Sequence, residues 1–240
     1  MAGMEHGADG RAAPLTMHRR SVLLGATCVL AGCQARPRAI ALAPSMPAID
    51  PALEASYGSF VDAGYEIDGL DLPRIDPSLL RRRVPDPTGE RPGTLVVDAG
   101  RRRLYLVEED GTALRYGIGV GREGLEWSGR AVIGRKAAWP SWRPTADMIR
   151  RDPANARWAQ GMEGGLDNPL GARALYLYRD GRDTLYRLHG TNEPWSIGRA
   201  VSSGCIRLFN HDIIDLHDRV PVGAPVLVTL GGRGGPASAA

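Results

Sequence analysis

From Thr94 onward the chain is cut into short runs of period two, each closed by a turn signal. Thr94-Leu-Val-Val-Asp98 and Arg103-Leu-Tyr-Leu-Val-Glu108 flank a turn at Ala99-Gly100, and Glu109-Asp110-Gly111 leads into Ala113–Val120. Asp180-Gly181 separates Ala174–Arg179 from Thr184–His189, and Ala131–Lys136 and Ala224–Leu230 complete the set. Strict alternation buries one face of a strand and cannot present a continuous helical stripe. One segment departs from it: Asn210–Val220 has helical spacing through Ile213, Ile214, Leu216 and Val220, with Asn210 as a candidate N-cap. Six or seven short strands and one late helix predict a mainly β, sandwich- or barrel-like domain with few short helices. The interval Pro140–Pro169 lacks strand patterning and is expected to act as a covering loop.

Before this domain the pattern differs. Met17-His18-Arg19-Arg20 precedes the apolar run Ser21–Ala31, which ends at Leu30-Ala31-Gly32-Cys33. A charged start, a short apolar stretch and small residues make a secretory leader rather than a spanning helix. Residues 1–33 are therefore expected to be a leader, with Met17 as a plausible true start. The double arginine resembles a twin-arginine address, with an ordinary positive region as the alternative. Leu30–Cys33 resembles a bacterial lipobox, which would lipidate Cys33; ordinary cleavage nearby is the alternative. Residues 34–92 are rich in proline and read as a spacer followed by an arm that packs on the main domain. Asp50 and Asp76, each followed by a proline, predict short helical turns there. Residues 93–231 form the main domain, and the Gly/Ala/Ser-rich 232–240 is expected to be a disordered tail.

Composition excludes several function classes. With 43% hydrophobic and 24% charged residues in 240, the chain is neither disordered nor a polytopic membrane protein. Net charge is +3, 27 acidic residues offset 30 basic ones, and no basic run argues for nucleic acid. Lys136 is the only lysine. Of three cysteines, Cys28 and Cys33 belong to the leader, so Cys205 cannot form an internal disulfide in the mature domain.

Chemistry concentrates in His189-Gly190-Thr191-Asn192 and Ser202-Ser203-Gly204-Cys205-Ile206-Arg207. Acyl transfer by cysteine needs a thiolate, a base and donors for an oxyanion. Cys205 follows His189 closely enough for the chain to turn back and set imidazole beside thiol. Ser203-Gly204-Cys205 would present consecutive backbone N–H groups in a tight turn. Arg207 is placed to hold a substrate carboxylate with its planar fork, against the alternative of an internal ion pair with Asp212 or Asp215. Singly, each of these residues is more often structural; their combination is what argues for a site. A zinc centre from His189, His211, His217 and Cys205 lacks the usual ligand spacing, so no metal is expected. The five tryptophans fall between residues 127 and 195, and Trp195 is the best placed to line a groove. Gly117-Ile-Gly-Val-Gly121 follows a strand without opening a helix and is discounted as a nucleotide loop.

These two motifs, with Ile197-Gly198 between them and Leu208 after them, resemble the signature of the L,D-transpeptidase catalytic domain of the YkuD or ErfK/YbiS type. Asn168-Pro169-Leu170-Gly171, Asn210–Leu216 and Val220–Val226 are similar as well, so the likeness covers roughly Thr94 to Leu230. Ser203 stands where many members have His. The resemblance implies a cell-envelope enzyme acting on peptidoglycan stem tetrapeptides without a cofactor. Cys205 would be the nucleophile, His189 the base and then the acid, and the Gly190 carbonyl the group orienting the imidazole. Gly204 and Cys205 N–H groups would form the oxyanion hole, and Arg207, Ser203, Thr191 and Trp195 would line the substrate. D-alanine would leave, and an amine acceptor, among them an outer-membrane protein, would take the acyl group. An L,D-carboxypeptidase and a non-catalytic envelope-binding lipoprotein are the alternatives. The expected location is the periplasm or envelope, with membrane contact only through a lipid on Cys33.

Overall fold

The computed structural model describes residues 50–121, 127–200 and 205–231. The leader with Cys33, the start of the Pro-rich stretch, Ser203, Gly204 and the 232–240 tail lie outside the described residues.

Local chemistry starts the first elements. Asp50 accepts from the Ala52 N–H at 2.9 Å and opens α1 (Pro51–Ser56), with proline where no donor is needed. A small hairpin follows, β1 (Phe60–Asp62) against β2 (Tyr65–Ile67). Asp76 then caps a 3-10 turn at Pro77–Leu79 by accepting from the Ser78 N–H. β3 (Arg82–Pro85) joins the main sheet as an edge strand, a place that tolerates Pro85. The segment read as spacer and arm thus supplies a strand to the sheet.

The sheet itself holds ten strands. After β3 come β4 (Leu95–Asp98), β5 (Arg103–Val107), β6 (Thr112–Gly117), β7 (Gly119–Val120) and β8 (Gly129–Ala138). The covering interval carries α2 (Ala146–Arg151) and a 3-10 turn at Pro153–Trp158 before β9 (Arg173–Arg179), β10 (Arg182–His189) and β11 (Ile206–Arg207). α3 (Asn210–Arg219) and β12 (Pro225–Thr229) complete the domain. Asp180 and Gly181 both have positive φ, 50° and 74°, which is the backbone that a two-residue turn between β9 and β10 needs.

Spatial order is β3-β6-β5-β4-β12-β8-β9-β10-β11-β7. Only Ile118 separates β6 from β7, yet these strands stand at opposite ends of that order, so the sheet wraps back on itself. That is the barrel-like, mainly β architecture the alternation predicts. Its core gathers Leu95, Val97, Leu104, Ile133, Leu175, Leu177 and Leu188 from the strands, with Ile213 and Leu216 from α3. Gly117 and Gly119 are required by close backbone approach: a Cβ would lie 2.3 Å from the Leu79 carbonyl oxygen and 2.7 Å from that of Ser196. The glycine run from 117 to 121 is therefore packing, not a phosphate cradle.

Polar contacts fasten α3 on both flanks. At its C-terminal end the Lys136 ammonium donates to the His217 and Val220 carbonyls, the latter at 2.8 Å, satisfying groups the helix leaves open. Along its side, Tyr116 donates to Asp215 Oδ2 at 2.7 Å, and Arg81 Nη1 lies 3.0 Å from the same atom. Tyr57 donates to Asp212 Oδ1 at 2.8 Å and accepts from the Arg81 N–H at 2.6 Å.

Asp212 is fully buried, and among the described residues its Oδ2 has no hydrogen-bond partner. Burial pushes its carboxyl up to about 7 from 3.8, although Arg81 opposes the rise. A group that holds its proton more tightly when folded contributes stability below about pH 4, and that contribution is lost as pH rises through about 7. Asp212→Asn mimics the protonated acid, so the wild type is expected to lose melting temperature from pH 6 to pH 8 relative to the variant. Thermal melts across that range check this; a variant that loses more than the wild type at pH 8 would show that the carboxylate is needed charged.

Candidate active site

β10 and β11 run parallel, with Leu188 opposite Ile206 and His189 opposite Arg207. Residues in register on neighbouring strands share a face, and the faces alternate along each strand. Leu188 and Ile206 enter the core. His189 and Arg207 project to the opposite face, and Cys205, two residues before Arg207, starts the same face at the mouth of β11. Pairing register rather than chain proximity sets imidazole and guanidinium side by side, at the strand that Cys205 precedes.

β11 is only two residues long, so its neighbours hold it in place. β7 flanks it, with Val120 opposite Ile206 and Gly119 opposite Arg207, and the Gly121 N–H donates to the Cys205 carbonyl at 3.2 Å. On the other side the Leu208 N–H donates to the His189 carbonyl at 2.8 Å. Cys205 is half-buried and forms no disulfide.

The imidazole of His189 is buried, with Nδ1 2.6 Å from the Gly190 carbonyl. A carbonyl can only accept, so the hydrogen sits on Nδ1 and the lone pair on Nε2. Burial, then the neighbouring Arg207 charge, pushes the ring down to about 3 from 6.5, although the Gly190 and Leu170 carbonyls favour the charged form. The resting ring is therefore neutral, the form able to take a proton.

Gly190 has no room for a side chain: a Cβ would lie 2.2 Å from Asn210 Oδ1 and 3.0 Å from the Ala172 nitrogen. Asn210 itself does not cap α3 as the sequence predicts. Phe209 takes the N-cap position without a side-chain cap bond. Asn210 Oδ1 instead reaches across to accept from the Ala172 N–H at 3.0 Å and the Thr191 N–H at 3.2 Å. The competing donors lie just before β9 and in the turn after His189, and the two of them outbid the helix terminus. The spacing that suggested a cap carries no sign of this latch.

Other expected residues take definite places. Thr191 is buried, and its hydroxyl accepts from the Glu193 N–H at 3.0 Å, bracing the turn. Trp195, in the 3-10 turn Pro194–Ser196, is 56% exposed. Arg207 pairs with neither Asp212 nor Asp215; its Nη1 donates to Glu193 Oε2 at 2.6 Å and to Ser196 Oγ at 3.3 Å. Glu193 is a residue that sequence reasoning missed, because an acid in a turn carries no periodicity. The covering loop is pinned by buried Asn168, whose Nδ2 donates to the Pro140 and Glu163 carbonyls and whose Oδ1 accepts from the Leu170 N–H. Its far side is held by the first hairpin. Asp62 accepts both nitrogens of the Arg173 fork, at 2.7 and 2.8 Å, and the Trp139 indole N–H, and Tyr65 donates to the Gly164 carbonyl.

His211 Nε2 lies 2.9 Å from the Gly58 carbonyl and His217 Nδ1 3.2 Å from Asp218, both on α3. Among the described residues no group of three or more His, Cys, Asp or Glu side chains is arranged to hold a metal ion. Among them, too, no helix is long and apolar enough to cross a membrane.

The family model for YkuD, the L,D-transpeptidase catalytic domain, matches residues 92–228. The chain belongs to the YkuD family. This places it in an enzyme family of L,D-transpeptidases, which acts on peptidoglycan peptides. Among curated proteins, Probable L,D-transpeptidase YbiS of Escherichia coli K12 is 37% identical over 60% of this chain and 45% of that protein. Probable L,D-transpeptidase ErfK/SrfK of the same organism is 38% identical over 73% of this chain and 54% of that protein. The chain thus spans about half the length of the curated relatives it matches. A solved Brucella melitensis structure, named as a probable carnitine operon oxidoreductase, is 52% identical over 62% of this chain and 92% of that one, with a TM-score of 0.46.

Proposed function

We propose that this YkuD domain is a cysteine-dependent L,D-transpeptidase acting on peptidoglycan stem tetrapeptides. The observation that supports the reading is the β10–β11 register, which pairs His189 with Arg207 at the strand that follows Cys205. His189 Nε2 accepts the thiol proton, and the Cys205 sulfur attacks the carbonyl joining the third, diamino-acid residue to the fourth, D-alanine. Backbone N–H groups of Gly204 and Cys205 receive the oxyanion, and Ser203 lies beside them in the sequence. A buried imidazolium is unfavourable, so His189 readily passes its proton to the departing D-alanine nitrogen. The C–N bond breaks, leaving a Cys205 thioester and free D-alanine. An amine acceptor then attacks, His189 takes its proton, and the thiol is restored. Gly190 orients the ring throughout, and no cofactor enters. Water in place of the amine would make the same site a carboxypeptidase.

The biological setting belongs to the same proposal. A leader ending near Cys33 supports export to the periplasm, with a lipid on Cys33 as anchor and either a second stem peptide or an outer-membrane protein as acceptor. Mass spectrometry of muropeptides from a deletion strain separates lost 3–3 dimers, lost wall-linked protein and an altered tripeptide fraction. No change in any of them would refute the wall assignment.

A second measurement tests the nucleophile alone. The strained lactam carbonyl of a carbapenem is an acyl donor for an activated thiol. Intact-mass analysis is expected to show one adduct per chain, lost in Cys205→Ser. An adduct retained in that variant would place the reactive group elsewhere.

A further inference from the structure

The face of the sheet that carries His189 also carries two cations without an anion. Arg135 on β8, Tyr176 on β9 and Arg187 on β10 are register partners in one row across the sheet. Leu175, Leu177 and Leu188 beside them enter the core, so by alternation the row lies on the opposite face, two residues along β10 from His189. The Arg135 and Arg187 Cζ atoms stand 3.6 and 4.9 Å from the Tyr176 ring centroid. A guanidinium that meets a ring through its face keeps its N–H donors at its edge, unspent. Among the described residues neither guanidinium has a carboxylate partner, and Arg187 Nε is buried without a hydrogen bond. Arg130, Arg173, Arg207 and Arg219, by contrast, each hold a carboxylate. Two like charges gathered on one ring repel, and the ring offsets only part of that cost; an anion at their free edges removes the rest.

The position says which anion. In the proposed reaction His189 hands its proton to the nitrogen of the departing D-alanine and takes one from the nitrogen of the acceptor. Both nitrogens therefore pass through one place beside the imidazole. The carboxylate of an α-amino acid lies two bonds from that nitrogen. Arg187 lies about 6.6 Å from His189 along the strand, a gap that an arginine side chain spans. Its charge is also felt at His189, where it adds to burial and Arg207 in disfavouring the imidazolium. We propose that the Arg135–Tyr176–Arg187 row binds a carboxylate on the carbon that bears the reacting nitrogen, and so selects α-amino acid acceptors over the side-chain amines of proteins. This rests on the function proposed above and names the acceptor it takes. In the step concerned, the acceptor nitrogen bonds to the acyl carbon and the C–S bond breaks with its electron pair on sulfur. The nitrogen's proton passes through His189 to Cys205. The competing view is that the two arginines only pack on Tyr176.

The test lets three acceptors compete in one reaction for the thioester formed from a stem tetrapeptide. They are isotope-labelled D-alanine, ethylamine, which is the same amine without the carboxylate, and Nα-acetyl-lysine amide, which offers a side-chain amine. Mass spectrometry of the three products gives their ratios, from which any change in acylation or in the folded fraction cancels. In Arg187→Gln the yield from D-alanine relative to ethylamine is expected to fall about tenfold or more, the effect of one charge-assisted bond, while ethylamine relative to the lysine amide holds. Arg187→Lys keeps the charge without the planar fork and is expected to fall between. Arg135 is exposed, so Arg135→Gln is expected to move the same ratio in the same direction, and it supplies the reading if Arg187→Gln fails to fold. Arginines that only pack would lower all three products alike. Unchanged ratios in both glutamine variants, with product still formed, would overturn the subsite and leave the proposed function standing. So would a wild type that uses the lysine side chain as readily as D-alanine. Formation of none of the products by the wild type, with Cys205 unacylated by a carbapenem, would overturn the proposed function and the subsite with it.

Discussion

Cys205→Ala is expected to reduce D-alanine release by about a thousandfold or more while leaving the fold intact. The size of the loss follows from the nature of the step: without sulfur there is no thioester, and oxyanion donors and substrate contacts alone leave only a small residual rate. The fold should survive because Cys205 is half-buried at the strand mouth and its backbone, not its side chain, carries the 3.2 Å bond from Gly121. Steady-state turnover and a thermal melt on the same preparation decide the matter. Activity within tenfold of wild type would remove Cys205 as nucleophile. Lost activity with a collapsed melt would instead make it a structural residue.

Asn210→Ala should unfasten the site from behind. Its Oδ1 is the acceptor for the Ala172 and Thr191 N–H groups, both on buried residues. Each orphaned buried donor costs about 1–3 kcal/mol, so a combined loss of about 2–6 kcal/mol is expected. For a domain of this size that corresponds to a melting temperature lower by on the order of 5–15 °C. Turnover by the folded fraction should fall as well, since the turn after His189 also carries the Gly190 carbonyl that fixes the imidazole tautomer. Asn210→Asp keeps an acceptor oxygen and should recover most of the stability. An alanine variant with wild-type melting and turnover would show that water replaces the latch without penalty.

Much of this architecture is written in local pattern. β4, β5 and β9 fall where apolar runs and turn dipeptides place them; β5 alternates between buried and half-buried positions, while β4 and β9 are buried along most of their length. The capped turns at Asp50 and Asp76 are equally local. β11 is not legible: two residues cannot show a period, and it exists only because β7 and β10 pair with it. β1, β2 and β3 are hidden for a similar reason, being three or four residues long within a Pro- and Arg-rich stretch. Cys205, His189 and Arg207 stand out by residue type and motif. Glu193 and the Asn210 latch do not, since each is defined by a partner at long range or across a turn.

The fastening of α3 by Lys136 has a chemical corollary. An enzyme that carries an acyl thioester and delivers it to amines is exposed to acylating its own lysines. This chain has one lysine, and its ammonium is half-buried and donates to the carbonyls of His217 and Val220. To become a nucleophile that nitrogen would have to lose a proton and leave the helix end it closes. The remaining basic residues are arginines, whose guanidinium stays protonated and is a poor acyl acceptor. The composition thus leaves the folded domain nearly free of side-chain amines that could intercept the acyl group of the proposed thioester.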